Sequence, residues 1–249
     1  MLTVGERDVD VLDAHLDFHL AAGVDLVFAA VDPGGEAAAM LERYGDDRVR
    51  RVEPGRLEQV GNADWVLAPE PYDFWWPRGE SLKDPLAAMP ARYGIIQGLV
   101  RRFVPMPGDA PFAERMTMRV ASPEVREGAL RPLTRAGNEE GIPLRAWYPF
   151  EVLSFPDRTP AGAAADDREL VGDTRLRDAL ATLRQTGTLT FRVPDLVDDA
   201  AYAVDCAAVK EVDLPRLERE VGELEARVAW LEQRLWPRVL RRLARLGGR

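Results

Sequence analysis

The sequence predicts an α/β fold with a mostly parallel sheet, followed by a helical C-terminal extension that ends in a coiled-coil-like helix. Two observations support this prediction. Short apolar runs alternate with amphipathic stretches over the first third of the chain, as expected for strands joined by helices. Leucines and valines then recur in a heptad pattern from Leu214 onward. A chain of 249 residues is long enough for one α/β domain with such an appendage.

The N-terminal elements follow each other in strand–helix–strand order. Gly23 provides the stop for the first helix, because glycine is favoured just past a helix end. We expect a parallel sheet with right-handed crossovers from this order. The predicted elements are a strand at 2–4, a helix at 9–22, a strand at 24–31, a helix at 37–44 and a strand at 49–52.

The stretch from Asn62 to Pro77 is the part of the chain around which we expect a ligand site. The apolar run 65–68 has the pattern of a buried strand, and it ends at prolines that cannot donate to a sheet ladder. Open α/β sheets build ligand sites from residues just past such strand ends. Two carboxylates and three aromatic residues follow the run: Glu70, Asp73, Phe74, Trp75 and Trp76.

Further elements are predicted downstream. A helix runs from Ser81 to about Met89 before Pro90, and residues 93–104 form an apolar, strand-like run. The segment 188–193 is either a short strand or an extended loop. Two more helices are expected at 173–184 and 198–210.

The heptad pattern between Leu214 and Leu235 needs a partner, because isolated short helices are marginal in water. Either it pairs with a second copy, giving a homodimer, or it packs on its own domain. Beyond it, residues 234–249 form a basic amphipathic end, which suits either an anionic membrane surface or the acidic N-terminal part. We therefore divide the chain into 1–160, 161–212 and 213–249.

Charge and composition exclude several functions. Residues 1–75 carry 16 acidic and 6 basic residues, so nucleic acid is an unsuitable partner for them. A diphosphate can still bind there if a cation lies between it and the carboxylates. The single cysteine, Cys206, cannot form an internal disulfide. No apolar run spans a bilayer and no signal-peptide pattern is present, so we expect a cytoplasmic protein, with a peripheral place at the inner membrane face as the alternative.

Several motifs in series resemble the glycosyltransferase 2-like branch of the bacterial family 2 glycosyltransferases. They include His-Leu-x-x-His-Leu-Ala-Ala-Gly-Val-Asp at 15–25 and Phe-Trp-Trp-Pro at 74–77. In that branch a strand ends in Asp-x-Asp-Glu-Phe, and the Asp-x-Asp pair binds a divalent metal that holds a nucleotide-sugar diphosphate. Here Glu70 stands at the first Asp, Tyr72 at the second and Asp73 at the Glu. The resemblance implies a GT-A type fold and a Mg²⁺ or Mn²⁺ site at Glu70 and Asp73.

The resemblance also implies roles for other residues. The donor, a nucleotide-diphosphate sugar, is expected to contact Arg7, Asp8, Asp32, Glu70, Trp75 and Trp76. The acceptor is a hydroxyl of a glycan or of a lipid-linked molecule, and Glu114 and Glu151 are the candidate general bases. The alternative function is an inactive homologue that acts as a binding or oligomerisation partner.

Each of these residues also has a structural interpretation. Trp75 and Trp76 fit a buried core as well as a sugar-stacking surface. Glu114 and Glu151 fit ordinary ion pairs with Arg115 and Arg145. The spacing of His15 and His19 suits a metal pair, although a packing helix is the more common role for such residues.

Overall fold

A computed structural model describes most of the first three quarters of the chain. The chain divides into two compact units, Met1–Asp198 and Asp199–Arg249, and all the described residues belong to the first. Arg7, Cys206, the 198–210 helix, the 214–235 heptads and the basic end lie outside the described residues. The described ranges are 2–5, 8–52, 63–77, 79–91, 93–121, 131–138, 142–145, 150–156 and 169–191.

The N-terminal part forms a three-stranded parallel sheet with two helices, as the sequence predicts. Strand β2 lies in the centre, with β1 on one side and β3 on the other. Helix α1 ends just before Gly23, whose φ of 106° is readily adopted only by a residue without a side chain. The elements are β1 Leu2–Thr3, α1 Val9–Ala21, β2 Val27–Ala30, α2 Glu36–Leu41 and β3 Val49–Val52.

The remaining strands form a larger sheet organised around one long strand, β6. The first half of β6 pairs with β8 and β9, and its second half pairs with β7 and β10. Strand β5 adds to β10, β11 adds to β7, and β4 adds to β8. The elements are β4 Trp65–Leu67, β5 Asp73–Pro77, α3 Lys83–Ala87, β6 Tyr93–Val104, α4 Phe112–Arg115, β7 Met118–Val120, β8 Arg131–Arg135, β9 Ile142–Arg145, β10 Phe150–Ser154, β11 Leu170–Gly172 and α5 Arg175–Thr186.

The protein is therefore a mixed α/β protein, but the prediction of a mostly parallel sheet is wrong beyond β3. Most strand pairs of the larger sheet are antiparallel, including the pair between β4 and β8. A parallel connection needs a crossover of a dozen or more residues, usually a helix. Helices α3 and α4 have only five and four residues, so the chain in this part turns back on itself instead.

Helix α1 contributes to two hydrophobic cores, which explains why it is buried on most sides. Leu12 and Leu16 pack with the parallel sheet. Val11, Ala14 and Phe18 pack with β5 of the larger sheet. A helix with apolar residues on two faces is expected where it lies between two layers.

Strand β11 and helix α5 belong to the first unit. Leu170–Gly172 pairs with β7. Leu176, Ala179 and Leu180 of α5 are buried in the same core as β5. Within the described residues, no helix is both long and apolar enough to cross a membrane.

Candidate functional site

A row of polar residues crosses three strands where β5 begins and β10 ends. Asp73 lies opposite Ser154 in the antiparallel β5–β10 pair, and Ser154 lies opposite Arg102 in the parallel β6–β10 pair. Directly opposite residues point to the same face of a sheet. At this end of the sheet, the carboxylate of Asp73, the hydroxyl of Ser154 and the guanidinium of Arg102 therefore lie side by side on one face.

The carboxylate of Asp73 is paired with Arg131 of β8. The Arg131 Nε donates to Asp73 Oδ2 at 2.5 Å. The Asp73 side chain is fully buried, whereas that of Arg131 is 27% exposed. Burial raises the pKa of Asp73, although the Ser154 hydroxyl and the Arg131 guanidinium act in the opposite direction. Asp73 is thus a buried acid whose counter-ion, Arg131, is partly exposed to solvent.

The turn before β5 holds the other residues of the predicted metal motif. The Asp73 N–H donates to the Glu70 carbonyl oxygen at 2.9 Å, and the Glu70 side chain is exposed. Tyr72 is half-buried, and burial, Glu70 and Asp73 all raise the pKa of its phenol. Glu70 is thus exposed to solvent while Asp73 is buried against Arg131.

These residues do not fit Mg²⁺ or Mn²⁺. A hard divalent cation in a protein is held by several oxygen ligands, and here one of the two carboxylates already has a guanidinium as its counter-charge. No group of three or more His, Cys, Asp or Glu side chains with metal-binding geometry occurs among the described residues. Arg131 supplies the positive charge that the resemblance assigned to a metal.

Trp75 and Trp76 occupy the core rather than a donor surface. The Trp75 side chain is fully buried and Trp76 is 3% exposed. Trp76 stacks on Phe18 at 5.9 Å between ring centroids, and the Arg175 guanidinium lies 5.5 Å from its centroid. Neither ring has a face open to a sugar, so the core interpretation holds for both.

The candidate base Glu151 lies in a buried ion network on the opposite face of β10. Its Oε1 accepts from Arg101 at 2.9 Å and its Oε2 from Arg175 at 2.7 Å. Asp173 pairs with Arg175 and with Arg119. Its burial acts to raise its pKa, but the hydrogen bonds and charge of Arg175 bring the pKa below the ordinary value.

This network makes Glu151 unsuitable as a general base. The side chain is 2% exposed and both of its oxygens are bonded to guanidinium groups. The ion-pair interpretation of Glu151 is therefore correct, and Arg101 and Arg175 are among its partners. Three arginines and two acids tie β6, β7 and β10 to α5, and the network is structural.

The other candidate base, Glu114, is exposed on the short helix α4. Its backbone N–H donates to the Pro111 carbonyl oxygen at 2.9 Å. No ion pair joins Glu114 to Arg115 within the described ranges, and the buried Nε of Arg115 has no hydrogen-bond partner there. Glu114 is thus accessible to solvent.

Two of the predicted donor contacts lie at adjacent strand ends of the parallel sheet. The Asp8 carboxylate accepts from the Gly5 N–H at 2.7 Å and closes the turn after β1. Asp32 follows β2 and is exposed. Since β1 and β2 pair in parallel, both acids lie at the carboxyl edge of that sheet, where open α/β sheets bind ligands.

Glu70 does not share this edge. Asp32 and Glu70 would lie at neighbouring strand ends only if β4 extended the parallel sheet. Strand β4 instead pairs with β8. Asp32 and Glu70 therefore do not lie at neighbouring strand ends of one sheet.

The two histidines hold β5 against α1. His19 Nδ1 hydrogen-bonds the His15 carbonyl oxygen at 2.9 Å, and its Nε2 accepts from the backbone N–H of Trp75 at 3.3 Å. Both nitrogens of His19 are thereby used, which leaves none for a metal. Burial lowers the pKa of His19 to about 4, and burial together with His19 lowers that of His15 well below its ordinary value. The packing interpretation holds.

Comparison with known proteins does not assign the chain to a family. No protein-family model matches the chain, and no curated protein matches it. The roles of the residues therefore depend on their surroundings in the structure.

Sequence reasoning did not find the partners of Asp73. Arg131 is 58 residues away along the chain, and Arg102 lies in a strand-like run that shows no site motif. No local pattern links these residues, and only the pairing of β5 with β10 and of β6 with both β8 and β10 brings them together.

Proposed function

We propose that this chain is a glycosyltransferase-like protein that binds a nucleotide-diphosphate sugar. The series of motifs at 15–25, 32 and 70–77 motivates this proposal. The N-terminal parallel sheet supports it, since Asp8 and Asp32 lie together at the carboxyl edge where a nucleotide is expected. A GT-A type fold, including its donor site, is part of the same proposal.

Of the two forms that the sequence leaves open, the geometry favours the inactive homologue over the transferase. The observation that carries this choice is the Arg131–Asp73 pair at 2.5 Å. A metal-dependent transferase needs carboxylates that are free to bind the cation that stabilises the leaving diphosphate. One of the two candidate bases, Glu151, is also occupied by two arginines. We therefore propose donor binding without metal-dependent transfer to a glycan or lipid-linked acceptor.

A thermal-shift screen of the full chain against nucleoside diphosphates and their sugars, each with Mn²⁺ or with EDTA, tests binding. At a ligand concentration of 100 Kd, linkage adds about 2.7 kcal/mol to the stability of the folded state. For a domain of this size that corresponds to a rise of roughly 5–10 °C in melting temperature. If no nucleotide at millimolar concentration shifts the melting temperature under either condition, donor binding is wrong.

The absence of transfer is tested separately by following release of the sugar from the same nucleotide sugars. We expect no release above the uncatalysed rate in Mn²⁺ or Mg²⁺. Release that depends on the metal and is lost in Asp73→Asn would show that the protein is an active metal-dependent enzyme. The two assays thus distinguish a wrong ligand from a wrong activity.

A further inference from the structure

We propose that Arg131, and not a divalent cation, binds the phosphate of the ligand at the Glu70–Asp73 turn. This inference depends on the proposed function for the identity of the ligand, a nucleoside diphosphate. It also changes the role of Asp73, which then positions the guanidinium instead of binding a metal.

The position of Arg131 in the sheet directs its side chain across β6. Arg131 lies opposite Gly98 in the β6–β8 pair. Because Gly98 has no side chain, no group of β6 stands beside Arg131 in that register, and the guanidinium reaches Asp73 at the start of β5. A larger residue at position 98 would also meet Trp75, 3.0 Å from its Cβ.

The guanidinium keeps hydrogen-bonding capacity for a ligand. It carries five N–H donors, and its Nε is the one used by Asp73. Within the part of the chain that the structure describes, Asp73 is the only hydrogen-bond partner of the Arg131 side chain. With 27% of that side chain exposed, the remaining donors are accessible to solvent. A guanidinium binds phosphate oxygens through two parallel hydrogen bonds, which a point charge cannot do.

The surrounding charges predict how the affinity responds to substitution. The negative charges of Asp73 and Glu70 act on Arg131 and raise its pKa despite its burial. The same charges compete with an incoming anion. Neutralising Asp73 should therefore release Arg131 for the ligand and strengthen binding, whereas in a metal site it would remove a ligand and abolish binding. The two mechanisms predict opposite effects for one substitution.

Calorimetric titration of the full chain with inorganic pyrophosphate and with UDP, each in EDTA and in Mn²⁺, provides the test. We expect binding in EDTA that Mn²⁺ does not improve. Arg131→Gln should weaken it about tenfold or more, since a charge-assisted hydrogen bond is lost. Asp73→Asn should leave it intact or several-fold tighter. Arg177→Gln, which removes the same charge from the exposed face of α5, is the matched control and should bind as the unaltered chain does.

Arg131→Gln leaves a buried carboxylate without its partner and is expected to lower stability. The double variant Asp73→Asn/Arg131→Gln replaces the ion pair with two neutral amides, so that no buried charge is left without a partner. It should fold and still show the loss of affinity. If the double variant folds and binds pyrophosphate as tightly as the unaltered chain, Arg131 is not the phosphate ligand.

The outcomes separate this inference from the proposed function. Binding that requires Mn²⁺ and is lost in Asp73→Asn overturns the inference and restores the metal site. UDP binding that persists without Arg131 overturns the inference but retains nucleotide binding. Pyrophosphate binding that depends on Arg131, with no nucleotide bound in any condition, supports the inference and overturns the proposed ligand.

Discussion

The buried histidines predict a loss of stability between pH 6.5 and about 4. His19 has an ordinary pKa of 6.5 that falls to about 4 in the folded chain, because burial disfavours the imidazolium. The unfolded chain therefore takes up a proton first as the pH falls. The contribution of neutral, buried His19 to the free energy of unfolding is fully present above pH 6.5. It decreases as the pH falls towards 4 and changes no further below that pH. His15, whose pKa is also lowered, changes stability in the same direction.

The size of the effect follows from the difference in pKa. At about 1.36 kcal/mol for each pKa unit, His19 alone accounts for roughly 3 kcal/mol between the two limits, and most of that is lost by pH 4.5. Asp73 changes stability in the opposite direction, since its raised pKa means that the folded chain binds its proton more readily than the unfolded chain. A comparison between variants cancels this contribution.

Urea unfolding followed by tryptophan fluorescence at pH 7 and pH 4.5 measures the effect. In His19→Gln the titrating group is absent, while the amide can still accept from the Trp75 N–H. The variant is less stable than the unaltered chain at pH 7, but on acidification it loses roughly 2–3 kcal/mol less. The chain has only two histidines, so His15→Gln/His19→Gln has no imidazole at all and is the limiting control. Equal losses in the unaltered chain and both variants would refute the assignment of neutral, buried histidines.

Three further predictions concern packing, charge and assembly. Gly98→Ala places a Cβ 2.9 Å from the nearest side-chain atom and should cost about 1–3 kcal/mol in urea unfolding, whereas Gly172→Ala, with nothing within 4 Å, should be nearly neutral. Glu151→Gln leaves the buried Arg101 and the partly buried Arg175 undercompensated and should cost about 3–5 kcal/mol, while the exposed Glu114→Gln stays within about 0.5 kcal/mol; equal costs would contradict the buried network. Sedimentation should show a dimer for the full chain and a monomer when residues 214–249 are removed, and a monomeric full chain at tens of micromolar would exclude the heptad dimer.

The sequence predicts the elements whose signals are local. The apolar run at 93–104 is strand β6 over the same residues, and Gly23 ends α1 as expected. The alternation of strands and helices before residue 52 also predicts the parallel sheet correctly. In each case the residues that carry the sequence signal are the residues that form the element or lie within a few positions of it.

The pairing of the later strands depends on contacts between distant segments. Strand β4 pairs with β8, and Trp65 lies opposite Arg135 with the guanidinium 4.3 Å from the centroid of its ring. The apolar pattern at 65–68 is the same whether the strand extends a parallel sheet or adds to an antiparallel one. Only the short lengths of α3 and α4 favour the antiparallel arrangement. A sequence pattern does not show in which direction the strand after such a connection runs.

The candidate site shows how a change of two residues alters the chemistry of a resembling motif. An Asp-x-Asp-Glu sequence carries three carboxylates, which is enough negative charge to hold a divalent cation. Here Tyr72 removes one of them, and Glu70 and Asp73 remain. With one fewer negative charge, burying Asp73 requires only a monovalent counter-charge, and Arg131 provides it at 2.5 Å. The tyrosine and the arginine are therefore electrostatically coupled: restoring an acid at position 72 alone leaves Arg131 on Asp73, so a metal site requires both positions to change.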